Sequence, residues 1–365
     1  MDSNSEIEVF VNCEVYHVLS DWVKLNLNND MIFNIGANSI EIIIRGSKYK
    51  MVLIDAGRKL SQTKYLEQIK KHLTEYKKKS YPELPDGVYS RNPGTLYHKS
   101  LSKPATQRGY PYILPLKDGQ VDAVKQYNTL KSIAETKTFL LSPEQLHRYA
   151  HHLNSSQMMC YNFFRPYISE KGTPAKELFT ILQTADVPVS FSNNAKCFFE
   201  YEQEEKEWQG ERTKNSKGTN FDFYLRSGDV EVFFEIKYTE NGFGTFRKNK
   251  DEFLRHQEKY DSFYSEKLDE CPALKKKVEY GEEFRTNYQL LRNTIRTTDK
   301  NKYVVFVYDA NNPHTYRQLN QFLSEYIADE YKNNVIALEW QKLVIASHPN
   351  QIFEFWNKYL NYKLY

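Results

Sequence analysis

Hydrophobic and polar residues alternate most regularly between residues 219 and 240, in the stretch TNFDFYLRSGDVEVFFEIKYTE. Alternation with a period of two is typical of β-strands, and the central Ser227-Gly228 pair predicts a two-residue hairpin turn. With that turn, Asp222 and Glu235 would be diagonal neighbours on adjacent strands. The pattern therefore predicts a β-hairpin that brings two carboxylates close together.

The same alternation places Asp222, Glu235 and Lys237 on one face of the hairpin. The opposite face is apolar and would pack against helices; it consists of Val230, Val232, Phe234, Ile236 and Tyr238. Three charged groups among so many apolar residues are costly to bury unless they are paired, hydrated or bound to a metal. Either these residues line a site, or they form an ordinary charged cluster facing solvent.

Elements on both sides of the hairpin indicate an α/β unit with a mixed central sheet flanked by helices. Periodicity and capping residues predict a helix, three strands, helices and another strand in that order. The predicted segments are 173–185 (helix), 195–202 (strand), the hairpin, 248–277 and 281–297 (helices) and 302–310 (strand). A further helix is predicted to begin at Ser142, with Pro143 in its first turn.

Three parts of the chain differ in composition and in the secondary structure that they predict. Residues 1–80 combine β-branched runs with a basic helical segment and predict a small α+β domain. Residues 81–142 contain frequent prolines and predict an irregular connector followed by a helix that packs on the core. Residues 143–365 form the α/β unit.

Composition narrows the class of protein. The 365 residues include 28 Tyr and 22 Phe, and the formal net charge is only +3. So small a charge does not by itself indicate a nucleic-acid partner, and local basic clusters would have to provide such binding. The four cysteines show no CxxC spacing, the N-terminus does not resemble a secretory signal, and no apolar run is long enough to span a bilayer. These features predict a cytoplasmic protein.

Two carboxylates and a lysine at one edge of a sheet suit phosphodiester chemistry. Mg²⁺ binds oxygen ligands, often one or two carboxylates together with water and phosphate. A nearby lysine can orient the attacking water or stabilise the anionic transition state.

The residues Asp222 and, after a twelve-residue spacer, Glu235-Ile236-Lys237 resemble the PD-(D/E)xK nuclease superfamily. The resemblance covers residues 173–309 and implies a restriction-endonuclease-like αβββαβ core. The stretches HHLNSSQMMCYNFF, FEIKYTE and YQLLRN are similar to a bacterial branch of this superfamily. One departure is Phe221, which stands where a proline often precedes the first acid.

The resemblance implies specific roles. Asp222 and Glu235 would bind Mg²⁺ or Mn²⁺, the carbonyl of Ile236 would add a ligand, and Lys237 would assist the attacking water. A third acid is expected upstream, with Glu200 favoured over Glu177.

Residues further along the chain are candidates for catalysis and phosphate binding. Gln289 and Arg292 lie one helical turn apart and share a face. The resemblance implies that the glutamine faces the site, and the arginine could hold phosphate. Phosphate contacts are also predicted for Arg247, Lys248 and Lys250, which follow the hairpin.

The sequence thus predicts a metal-dependent nuclease that hydrolyses DNA, with restriction or defence as its setting and a homodimer as one form it could take. Two alternatives remain open at this point. One is a module of the same fold that binds nucleic acid or a partner without catalysis, and the other is an RNA-directed nuclease.

Overall fold

The computed structural model describes residues 7–11, 31–35, 39–44, 47–53, 61–88, 109–116, 119–202, 206–211, 218–246 and 250–362. The strands are Ile7–Val11 (β1), Met31–Ile35 (β2), Ser39–Ile44 (β3), Ser47–Leu53 (β4), Lys196–Glu202 (β5), Asn220–Ser227 (β6), Val230–Ile236 (β7), Lys302–Tyr308 (β8) and Val335–Glu339 (β9). The first four form one sheet in the order β1-β4-β3-β2, in which β1 is parallel to β4 and the other pairs are antiparallel.

The helices lie mostly after residue 119. They are Gln62–Ser80 (α1), Gln120–Ala123 (α2), Lys131–Thr136 (α3), Ser156–Phe164 (α4), Lys176–Thr184 (α5), Lys250–Lys259 (α6), Ser265–Asp269 (α7), Glu282–Thr286 (α8), Tyr288–Thr294 (α9), Pro313–Tyr326 (α10), Trp340–Ala346 (α11) and Pro349–Tyr359 (α12). Val124–Asn128 and Tyr260–Tyr264 are π-helical, and Arg165–Tyr167, Lys206–Glu211 and Asp329–Tyr331 are 3₁₀ turns. Within these described ranges no helix is both long and apolar enough to cross a membrane.

The second sheet has the order β5-β6-β7-β8-β9. The pairs β5·β6 and β6·β7 are antiparallel. The pairs β7·β8 and β8·β9 are parallel. The predicted α/β class, with a mixed sheet flanked by helices, is confirmed. Strand β8 reads KYVVFVY and is apolar on both faces, as expected for a parallel strand covered on both sides.

Each face of this sheet packs against its own set of helices. One hydrophobic cluster joins Phe234 and Val305 to helices α1, α4, α5, α11 and α12. The other joins Phe233 and Phe306 to the 260–264 segment and to helices α9 and α10. The charged residues of the hairpin therefore lie inside a three-layer α/β/α structure, not on a solvent-facing sheet.

Helix α1 shares its apolar side with the first of these clusters. Tyr65, Ile69 and Leu73 are four residues apart and fully buried there, which is the spacing of one helix face. The predicted domain boundaries at residues 80 and 142 stay predictions, and the structure adds that α1 is packed into the core of the α/β unit.

The predicted helix from Ser142 is wrong in its first half, because residues 142–155 form turns and α4 begins at Ser156. Some backbone carbonyls that would accept hydrogen bonds within a helix accept them here from side chains of other segments. Asn128 Nδ2 donates to the carbonyls of Ala150 and His152, at 2.5 and 2.9 Å. Local capping signals are thus overridden by long-range hydrogen bonds.

A buried ion pair stabilises the second cluster. The Glu211 carboxylate accepts from Arg296 Nη2 at 2.5 Å, from the Thr219 amide at 2.8 Å and from the Tyr264 hydroxyl at 2.7 Å. Burial alone would raise the pKa of Glu211, but Arg296 and these hydrogen bonds lower it to about 2. The Arg296 guanidinium also lies 3.5 Å from the centre of the Trp208 ring.

Replacing Glu211 with alanine is expected to reduce the free energy of unfolding by about 3–5 kcal/mol, because Arg296 would remain buried without its acid. In the wild type the lowered pKa of Glu211 contributes about 3 kcal/mol above pH 4.5, which is lost as the pH falls towards 2. Urea unfolding followed by tryptophan fluorescence measures both effects. Asp329→Ala, which removes an exposed pair with Lys332, is the control and should cost less than about 1 kcal/mol.

Candidate active site

The hairpin turn differs by one position from the predicted one. Ser227 pairs with Val230, so Gly228 and Asp229 form the turn and the prediction of a Ser227-Gly228 turn is wrong. Gly228 has a φ of 61°, a left-handed conformation that glycine adopts without strain at the first central position of a hairpin turn. The pairing of the two strands shifts by two residues as a result.

A shift of two residues leaves the alternation of a regular strand unchanged. It moves Asp222 from a diagonal position to one opposite Glu235, because the register of Phe223 with Phe234 extends by one residue to this pair. On the other side of Asp222, the register of β5 with β6 brings Glu200 opposite it. Three carboxylates from three adjacent strands therefore lie at the same level of the sheet.

The sheet is irregular at this level. Glu200 has a φ of 50°, which a non-glycine residue adopts at a cost of about 1–3 kcal/mol. Phe198 and Tyr201 both stack near Tyr224, with ring centres at 6.3 and 4.0 Å, although residues three apart in a regular strand point to opposite faces. The left-handed residue between them therefore switches the alternation of β5 and reorients the Glu200 side chain.

Glu200 is held by two amide side chains. Its Oε1 accepts from Gln157 Nε2 at 2.7 Å, and its Oε2 accepts from Asn220 Nδ2 at 2.6 Å. The alternative third acid, Glu177, lies near Tyr167, where its charge contributes to the raised pKa of that phenol after the larger effect of burial. Of the two candidates, Glu200 is the one that lies beside Asp222.

The side chain of Asp222 accepts the hydrogen bond that a backbone carbonyl would accept in a regular strand pair. Its Oδ2 accepts from the Ile236 amide at 2.6 Å. Burial, followed by the negative charges of Glu235 and Glu200, raises the pKa of Asp222 well above its ordinary value, against the opposing effects of Lys237 and the Ile236 amide. Negative charge thus accumulates around this carboxyl group.

Glu235 is almost fully buried and accepts hydrogen bonds from three side chains. Its Oε1 accepts from Lys237 Nζ at 2.7 Å and from Gln289 Nε2 at 2.5 Å. Its Oε2 accepts from Asn293 Nδ2 at 2.8 Å. These donors compensate the desolvation of the carboxylate, which would otherwise be costly in so apolar a sheet.

Lys237 is likewise buried, at 8% exposure. Burial would lower the pKa of its ammonium group, but the charges of Glu235, Glu240 and Asp222 outweigh that effect and raise the pKa above its ordinary value. The structure therefore brings Asp222, Glu235 and Lys237 together as the sequence predicted.

Helix α9 holds Glu235 from above the sheet. Gln289 and Asn293 are four residues apart on one face of this helix. Gln289 also accepts from the Gly244 amide at 2.8 Å, which ties the loop after the hairpin to the same helix. Asn293 was missed in the sequence, although its i+4 spacing from Gln289 was a usable signal.

The predicted phosphate-binding residues lie in different parts of the structure, and two of them lie outside the described residues. Arg292 lies on α9, and its guanidinium is 5.5 Å from the Tyr288 ring centre. Its buried Nε has no hydrogen-bond partner within the described ranges. Lys250 is the first residue of α6. Arg247 and Lys248 lie outside the described residues.

Two further side chains, those of Gln157 and His147, lie at this site. Gln157 bridges Glu200 to the turn preceding α4, since its Oε1 accepts from the His147 amide at 2.8 Å. The side chain of His147 lies close enough to Lys237 that the lysine contributes, after burial and Arg148, to lowering the pKa of His147.

The ligands available for a divalent cation are few. In the part of the chain that the structure describes, no three His, Cys, Asp or Glu side chains converge closely enough to hold a metal ion. Asp222 and Glu235 with the carbonyl of Ile236 nevertheless make a sparse oxygen set of the kind that Mg²⁺ accepts when water and phosphate complete its shell. The negative charge around Asp222 is consistent with such a ligand.

Comparison with known proteins gives one match. A family model described as Restriction Endonuclease associating with ARP matches residues 121–363, about two thirds of the chain. No curated protein and no solved structure matches the chain.

Replacing Asn293 with aspartate is expected to reduce the free energy of unfolding by about 1–3 kcal/mol, since a buried donor to Glu235 would become a second acceptor with like charge. Thermal unfolding at pH 8 measures the change. Asn193→Asp makes the same substitution at an exposed position and should leave the midpoint almost unchanged. Equal midpoints for the two variants would argue that Asn293 does not hold Glu235.

Proposed function

The chain belongs to the family described as Restriction Endonuclease associating with ARP, and on that premise we propose that it hydrolyses phosphodiester bonds of DNA with the help of a divalent cation. The observation that carries the proposal is the position of three carboxylates opposite one another on adjacent strands, those of Glu200, Asp222 and Glu235. Lys237 donates a hydrogen bond to Glu235. Several carboxylates side by side in an apolar sheet are unfavourable for stability, so a catalytic role explains them better than packing does.

Asp222 and Glu235 would hold Mg²⁺ or Mn²⁺ together with the Ile236 carbonyl, and Glu200 would act from the neighbouring strand. Burial raises the pKa of Asp222, followed by the charges of Glu235 and Glu200, and the presence of these two neighbouring carboxylates supports the assignment. When bound, such a cation acidifies water and neutralises charge that develops on a phosphoryl oxygen.

The protein side chains position the reacting groups. Lys237 is a donor beside Glu235, so its ammonium group would orient the attacking water and stabilise negative charge at phosphorus. Gln289 and Asn293 each donate to one oxygen of Glu235 from helix α9, which keeps the carboxylate in one orientation. Catalysis would thus depend on an arrangement that is already formed before substrate binds.

Arg292 would contact a phosphate next to the scissile one. Among the residues that the structure describes, its buried Nε has no hydrogen-bond partner, and a buried donor of this kind is suited to binding an anion. Burial lowers the pKa of Lys259, and the charges of Arg292, Arg296 and Arg255 lower it further against the opposing effect of Glu211. Arg292 thus lies near other cationic side chains.

The biological setting follows from the family only as a proposal. We extend to this chain the association with ARP that the family description states, and a role in restriction or defence. A homodimer would allow the two strands of a duplex to be cut by two sites.

Cleavage of supercoiled plasmid with Mg²⁺ or Mn²⁺ tests the function. Wild type is expected to nick or linearise the plasmid, and Glu235→Ala and Lys237→Ala should each lose about 100-fold or more in rate, because each removes a group that acts on the reacting phosphate. Addition of EDTA should abolish the wild-type activity. Glu258→Ala, on the exposed side of α6, is the matched control and should cut at the wild-type rate.

Other results of this assay would favour the alternatives. Cleavage of RNA but not of DNA would indicate an RNA-directed nuclease. DNA binding without cleavage of any nucleic acid, with or without metal, would indicate a binding module. Equal cutting by Glu235→Ala and wild type would mean that the activity does not come from this site.

Arg292→Ala is expected to weaken DNA binding about tenfold and to reduce the salt dependence of the binding constant by about one ion, because one phosphate contact is lost. Fluorescence anisotropy with a labelled duplex at several salt concentrations measures both quantities. Arg317→Ala removes an exposed arginine on α10 and provides the control. An unchanged salt slope for Arg292→Ala would contradict the phosphate contact.

A further inference from the structure

The segment that follows Lys237 is fixed by hydrogen bonds to its main chain. The carbonyl of Tyr238 accepts from Tyr65 Oη at 2.8 Å and from Asn312 Nδ2 at 2.9 Å. The amide of Lys237 donates to the carbonyl of Val307 at 2.8 Å. The peptide group before Lys237 and the one after Tyr238 are therefore both anchored.

One of these anchors comes from far away in the sequence. Tyr65 lies on helix α1, more than 50 residues before the start of the matched family region at residue 121. Its side chain is fully buried, and its hydroxyl also lies 3.0 Å from Asp309 Oδ2. The phenol thus connects the segment that follows β7 to Asp309, the residue that follows β8.

A second contact links the same helix to the same segment. Gln62, at the start of α1, has its Nε2 at 3.5 Å from the carbonyl of Glu240. Asn312 Nδ2 donates to that carbonyl as well, at 2.9 Å. Helix α1 therefore lies against the chain that leaves the candidate site, with Tyr65 as its main polar contact.

We propose that Tyr65 is a positioning residue for Lys237, so that helix α1 is part of the catalytic unit although it lies outside the matched family region; this inference rests on the proposed function. The hydroxyl holds the Tyr238 carbonyl and thereby fixes the direction in which the backbone passes Lys237. Without it, Asn312 would be the only described residue that donates to the Tyr238 carbonyl. A displacement of the lysine by a fraction of an ångström would slow the chemical step without altering substrate binding.

The chain offers a matched control in Tyr362. Its hydroxyl donates to the same oxygen of Asp309, at 2.5 Å, but does not contact the Tyr238 carbonyl. Both Tyr65→Phe and Tyr362→Phe remove one buried hydroxyl from the same carboxylate, so their effects on global stability should be similar.

The experiment compares these two variants of the full chain by hydrogen exchange and by kinetics. In Tyr65→Phe, exchange at the amides of Lys237 and Tyr238 is expected to accelerate about tenfold, and kcat to fall about tenfold with KM within about twofold of wild type. In Tyr362→Phe, exchange at those amides and kcat should stay within about twofold of wild type.

Two results would overturn the inference: equal effects of both variants on exchange at Lys237, or equal effects on kcat. Either would mean that Tyr65 serves stability alone. If the wild type cuts no nucleic acid, the proposed function fails, and the exchange measurement still decides by itself whether Tyr65 holds the segment after Lys237.

Discussion

The burial of the Glu235 carboxylate is the constraint on which the architecture of the site depends. A carboxylate in the middle of a sheet covered on both faces must find donors inside the protein, and Glu235 obtains them from its own strand and from helix α9. The helix must therefore cross the sheet at the level of Glu235, and Gln289 and Asn293 must face it. Gln289 in turn holds Gly244, so the loop after the hairpin is fixed by the same requirement.

Much of this site could be predicted from the sequence, because the period of a β-strand is short and strict. The predicted turn was misplaced, yet Asp222, Glu235 and Lys237 still lie together, since a shift by two residues leaves the alternation of a regular strand unchanged. Asn293 could also have been found, because residues four apart on a helix face the same side and Gln289 was already a candidate.

The rest depends on contacts between distant parts of the chain. The left-handed backbone of Glu200 has no local signal, since glutamate has no preference for positive φ. The turns at 142–155 were predicted as helix because a Ser-Pro start is a strong local signal, and it is overridden by hydrogen bonds from Asn128 and Gln157. Such side chains are ordinary in the sequence and acquire their roles only through packing.

Three buried acids show how differently a fold can treat a carboxylate. Glu211 is paired with Arg296, which lowers its pKa and leaves little capacity for another cation. Asp309 accepts from neutral groups, among them Tyr65, and its pKa is raised by burial despite those hydrogen bonds. Glu235 accepts from two neutral amides and one lysine. A carboxylate held mainly by amides keeps its orientation without being paired with a fixed arginine, which is what the proposed role of Glu235 as a cation ligand requires.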